Sequence, residues 1–250
     1  MGKFYDLWSE SESLDKNIKT NALNKIAEQG FDYSLPGLIE NYIVNNDPFS
    51  FVRIGDGELA ILTQMYKSTE EVRKEVPWSG STGYCGVSVP SMDFTNRMVE
   101  SIRNATIVGL FKHDPFNKEV FEQLGFYPEH ITHAFENLYL PMRKDFVNLM
   151  KKYPPLLIGR KSQEYAKYFK EIMNLDVPGC IGIESFHEVD KVIKKAMDMK
   201  DEWKWAYICA GCPAVVIAGE LDYKHGKVAL DLGHSIDNAI HYDSYWFNLS

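Results

Sequence analysis

With 250 residues, 45% of them hydrophobic and 25% charged, the chain can bury the core of one large α/β domain or two small ones, which excludes a disordered protein. A net charge of −8 argues against a general nucleic-acid binder, which needs a basic face to neutralise phosphates. Four cysteines are too few for a disulfide scaffold, Met1-Gly2-Lys3-Phe4-Tyr5-Asp6 is too polar for a secretory signal, and no run reaches the roughly 18–20 apolar residues of a membrane span, so a cytoplasmic protein is expected.

Residues 1–45 read as a helical extension packed on a domain spanning 46–250, with helical spacing at Asn21–Gln29 and Leu38–Val44. A strand follows at Phe49–Ile54, then a helix at Met92–Arg103, a strand at Thr106–Leu110 and helices at Phe116–Leu124 and Arg143–Lys152. Next come a strand at Leu156–Gly159, a helix at Gln163–Met173, a strand at Cys180–Ile183 and a helix at Glu188–Met199. The series ends with a strand at Trp205–Ala210, a helix at Pro213–Leu221 and a strand at Lys227–Leu232. Such alternation predicts an α/β fold with a mostly parallel sheet flanked by helices on both faces.

Open α/β sheets bind ligands at the carboxyl ends of their strands, and here those ends carry the chemistry. Arg53-Ile54-Gly55-Asp56-Gly57-Glu58 closes the first strand. If the chain stays extended there, residues i and i+2 face the same way, so Asp56 and Glu58 would converge on one hard cation, Mn²⁺ or Mg²⁺. Gly55 and Gly57 would leave room for a ligand, although a plain Asp-Gly turn opening a solvated helix accounts for the same letters. Arg53, on an apolar strand, either holds a phosphate or pairs with a buried carboxylate.

Gly211-Cys212-Pro213 joins a strand to a helix; Pro213 suits the first turn, and free N–H groups there would bind an anion that Gly211 lets approach closely. The Cys209-Cys212 spacing lacks an exposed low-pKa thiol or a second C-x-x-C pair, so both cysteines are expected to be chemically inert. Arg160 and Lys161 precede Ser162, which reads as a helix cap, and suit a diphosphate as well as a solvated loop. Asp231-Leu232-Gly233-His234 offers Asp231 for a ribose or sugar hydroxyl and His234 as a base or phosphate donor. A general base for an acceptor hydroxyl is open among Asp93, Asp114, Glu184 and His234.

The segment R-I-G-D-G-E, followed late in the chain by A-G-C-P-A-V-V-I-A and K-V-A-L-D-L-G-H-S-I-D, resembles the GT-D fold glycosyltransferases between about Asn46 and Ile240. That resemblance implies a Rossmann-like fold and a bacterial, metal-dependent enzyme moving a hexose from a nucleoside-diphosphate sugar, UDP-linked by expectation, to a hydroxyl of a glycan or glycoconjugate. It places the family's D-x-E motif on Asp56 and Glu58, its glycine-rich turn on Gly211 to Ala214, and its late block on Asp231, Gly233 and His234. The alternatives are a metal-dependent phosphoesterase and a non-catalytic nucleotide-sugar-binding module. A homo-oligomer is compatible with the sequence.

Overall fold

In β1 (Phe49–Arg53), Phe49, Phe51 and Val52 are all fully buried, so residues of both parities are covered and the strand lies between two layers. A computed structural model describes this chain over residues 34–75, 85–110 and 115–242; the helix expected at Asn21–Gln29 and the segment Phe111–Asp114 lie outside the described residues. Ahead of β1 runs α1 (Leu35–Asn45), and after it come α2 (Asp56–Leu62), α3 (Thr69–Glu75), α4 (Met92–Asn104), β2 (Ile107–Leu110) and α5 (Pro115–Leu124). The chain continues through β3 (Ile131–His133), α6 (Glu136–Tyr139), α7 (Lys144–Lys152), β4 (Leu156–Gly159), α8 (Ser162–Met173) and β5 (Cys180–Ile181). It ends with α9 (Val189–Asp198), β6 (Trp205–Cys209), α10 (Pro213–Tyr223), β7 (Val228–Asp231) and α11 (Ser235–Tyr242).

The seven strands form one sheet in the order β3-β2-β1-β7-β6-β4-β5, and every neighbouring pair is parallel. Alternation along the strands divides the core. Val52, Ile158, Ile208 and Ala229 face a layer that includes Met98 of α4, Val192 of α9 and most of α10. Phe51, Leu157, Tyr207 and Leu230 face the other, with Ile39 of α1, Phe146 of α7 and Phe169 of α8. Helix α10 is buried from Pro213 to Asp222, as expected of a helix apolar on nearly every side. Its charged Glu220 is tolerated because Arg97 of α4 grips both carboxylate oxygens, at 2.9 and 3.1 Å.

Two features of this topology position the site. All strands point their carboxyl ends to one edge. After β4 the chain crosses outward to β5, whereas after β6 it crosses the other way to β7, and such a reversal opens a crevice between the two strands.

Candidate functional site

Register fixes what meets at that edge. Ile208 pairs with Asp231 and Gly159 with Cys209, while Phe51 pairs with Leu230, so the ends of β4, β6, β7 and β1 lie side by side. The turns beyond them carry Arg160, Gly211, Gly233 and Asp56.

The β1 turn departs from the extended form expected for it. Helix α2 begins at Asp56, so Asp56 and Glu58 are two residues apart on a helix, pointing about 200° apart rather than to one side. The physical reason is a local cap: Glu58 reaches back and accepts the Gly55 N–H on Oε2 at 2.9 Å. Glu58 is consequently buried, at 5% exposure, while Asp56 stays partly exposed. The helix is not the solvated one of the bland alternative either, because Gly57 through Leu62 are all buried.

Behind this turn lies a buried charge cluster. Burial works against the Arg53 guanidinium, but Asp231, Glu58 and Asp56 around it prevail and hold its pKa above the ordinary value. Asp231 is 1% exposed, and burial raises its pKa to about 7 even though Arg53 and the Gly233 N–H, 3.1 Å from Oδ1, favour the carboxylate. Gly233 has φ +48°, and a Cβ there would run into Nη2 of Arg53. Asn137 of α6 closes the other side, donating Nδ2 to the Leu232 carbonyl at 3.1 Å.

On the far side of Gly233 is a cleft of about 290 Å³ at the β4/β6 crevice. Arg160, Gly211, Pro213, Gly233 and His234 all line it, as do Lys161, Glu184 and Cys209, so residues singled out at several strand ends converge there. Arg53, Gly55, Asp56, Gly57, Glu58 and Asp231 do not line it; they form the adjacent β1–β7 cluster, with Gly233 as the shared wall. Asp231 therefore cannot present its carboxylate to a ligand hydroxyl in this arrangement.

The Gly211 turn also works differently from the expectation. Cys212 N–H donates to the Cys85 carbonyl at 2.9 Å, Ala214 to Gly211 at 2.9 Å, and Val215 to Cys212 at 3.2 Å. With Pro213 having no N–H, these amides already have acceptors, and cationic side chains carry the anion-binding capacity of the cleft. Glycine is required at 211 because φ is +61° and a Cβ would stand 2.6 Å from the Cys85 carbonyl oxygen, not because of a ligand. Burial pushes the Cys209 and Cys212 thiols well above their ordinary pKa, which disfavours a reactive thiolate.

The cleft cations are held by acids. Arg160 Nε lies 3.0 Å from Glu184 Oε2, and Lys161 Nζ lies 2.8 Å from Asp237 Oδ1. Of the residues considered for a general base, His234 is exposed on the cleft wall, Glu184 lines it within the Arg160 pair, and Asp93 sits exposed on the first turn of α4, away from the cleft. Asp114 lies outside the described residues. Sequence reasoning assigned no role to Asp237, Tyr165 or Asn137. Asp237 had a signal, three residues past His234 on a helix; Tyr165 and Asn137 reach the site only through the tertiary fold.

Among the described residues no group of three or more His, Cys, Asp and Glu is placed to hold a metal, which leaves a two-metal phosphoesterase without a ligand set there. No helix among them is long and apolar enough to cross a membrane.

Comparison with known proteins agrees with this fold. Two solved structures share the fold: a selenomethionine-substituted domain of unknown function 1792, at 13% identity and TM-score 0.50, and a domain of unknown function 1792 described as having a distinct glycosyltransferase fold, at 12% identity and TM-score 0.53. Each similarity covers 82% of this chain and 79% of the other. No curated protein matches the chain. The family model of the GT-D fold-like domain matches residues 34–239, a stretch that takes in α1, the whole sheet and both halves of the site, and the chain belongs to that family.

Proposed function

We propose that this protein is a glycosyltransferase that binds a nucleoside-diphosphate sugar, with UDP as the expected nucleotide, in the β4/β6 cleft and transfers the sugar to a hydroxyl of a glycan or glycoconjugate. The observation that carries this reading is the cleft itself, where Arg160, Lys161 and His234 gather beside the Gly211 turn at the carboxyl edge. Breaking the anomeric C–O bond leaves a diphosphate, and stabilising that leaving group is the main task of such a site. Four free thiols suit the reducing cytoplasm.

Charge arithmetic supports a divalent cation, Mn²⁺ or Mg²⁺. The charges of Arg160 and Lys161 are offset by Glu184 and Asp237, so a diphosphate enters with little net attraction from these four groups. Unit like charges about 5 Å apart at an effective dielectric near 20 repel by about 3 kcal/mol. The carboxylate that would hold the cation is Asp56, partly exposed on the β1 turn beside the cleft rather than in its lining, while Glu58, one oxygen committed to Gly55, fixes that turn. When bound, the cation would neutralise charge on the diphosphate. Arg160 and Lys161 would orient the donor, and His234 would donate to a phosphate oxygen or take the acceptor proton.

The test is release of nucleoside diphosphate from a panel of donors, with and without acceptor glycans, in Mn²⁺, Mg²⁺ or chelator. Turnover should need the cation and fall at least about 100-fold in Asp56→Asn with the fold retained. Full activity in chelator would remove the metal from this account, and consumption of no donor would remove the transferase.

A further inference from the structure

We propose that Asp237 and Lys161 form a donor–acceptor pair that reads a vicinal diol of the bound ligand, and so set its specificity. The inference rests on the nucleotide-sugar reading and extends it to Asp237, which that reading leaves without a role, and to a second, finer role for Lys161.

Asp237 stands on the first turn of α11, its side chain 29% exposed, three residues beyond His234 on the same cleft wall. Lys161 Nζ donates to its Oδ1 at 2.8 Å and Tyr165 OH to its Oδ2 at 2.9 Å. Tyr165 is buried, with 3% exposure, so the second of these bonds is anchored in the core. Both carboxylate oxygens are therefore fixed in place. A carboxylate has about four lone-pair directions, so each oxygen keeps one for a further donor, and the ammonium keeps two of its three N–H groups.

That is the complement of two adjacent ring hydroxyls. Each hydroxyl donates once and accepts through its oxygen; two side by side address both oxygens of a carboxylate while the ammonium donates back. The hydrogen bond from Lys161 to Asp237 holds the lysine pKa above its usual value, so the ammonium stays charged. The pair faces the cleft, where a ligand can reach it, and the buried Tyr165 hydroxyl keeps its carboxylate in one orientation. The role expected for Asp231 at the sequence level, holding a ribose or sugar hydroxyl, falls on Asp237, because Asp231 is shut behind Gly233.

A ribose and a hexose both carry such a diol, and calorimetry on the full chain separates them. ADP, CDP, GDP and UDP with Mn²⁺ are each titrated against the 2′-deoxy counterpart, and the tightest-binding base is then titrated as its diphosphoglucose and diphospho-3-deoxyglucose, which lacks both vicinal pairs of the ring. The parent protein should prefer the diol-bearing member of one of the two comparisons by about tenfold or more, since a site built to bond a hydroxyl penalises its loss. That preference should collapse in Asp237→Asn and in Lys161→Met, each variant losing much more of the diol ligand's affinity than of the deoxy ligand's. Lys161, half exposed, keeps the test open should Asp237→Asn fold poorly. Equal weakening of diol and deoxy ligands, or a preference that survives both substitutions, overturns the proposal and leaves the donor reading standing. Failure of the parent to bind any of the nucleotides overturns both.

Discussion

Asp231 is the residue where sequence and structure differ most in consequence. Its pKa of about 7 lies above the ~4 of an unfolded aspartate, so between about pH 4 and pH 7 the folded state holds more proton than the unfolded. The stability this group contributes is then fully present below about pH 4 and lost as the pH rises through about 7, by up to about 4 kcal/mol. Asp231→Asn keeps the shape and the acceptor for the Gly233 N–H but cannot ionise. Urea melts at about pH 4.5, 5.5 and 7.5 should show the parent losing stability relative to Asp231→Asn with rising pH; parallel curves would mean that Asp231 is ionised throughout. None of this burial was legible from D-L-G-H alone. The acidic and glycine letters pointed to the end of the last strand, but which carboxylate faces inward depends on Arg53, which lies 178 positions earlier in the sequence.

At the scale of elements, periodicity carried most of the sheet. The strands at Leu156–Gly159, Trp205–Cys209 and Val228–Asp231 stand out as apolar runs because both faces are covered. Strand β3 escaped notice because it has three residues, with Ile131 half-buried at the edge of the sheet. A helix after β1 was legible only as one of two alternatives, because Gly57 is a poor helix former, and the reach from Glu58 to Gly55 shows why the helix starts at Asp56. Helix α10 offers a sharper test of packing. Gly219 lies against α4 so closely that a Cβ would stand 2.5 Å from Ser101 Cβ. Gly219→Ala should cost about 1–3 kcal/mol despite the better helix propensity of alanine, and Ser101→Gly in the same chain should restore part of it. Denaturant melts of the single and double variants measure the coupling; a stabilised Gly219→Ala would show that the two helices have slack between them.

For the molecule as a whole, a parallel sheet brings to one edge residues that the chain keeps far apart: Arg53, Asp56 and Asp231 on one side, Arg160, Gly211 and His234 on the other. The sequence could locate strand ends but not sort them. Only the order β1-β7-β6-β4 divides the marked residues into a buried charge cluster and an open cleft with Gly233 between. A second hollow of about 230 Å³ at the amino edge, where Lys200, Lys204 and Lys227 gather, provides the natural competitor for an anion. The most direct test is a co-crystal structure with a nucleoside diphosphate and Mn²⁺. The account predicts the diphosphate in the β4/β6 cleft, within hydrogen-bond reach of Arg160 and His234, with the cation on Asp56. A nucleotide seated among the lysines of the amino edge, with the cleft unchanged, would contradict it.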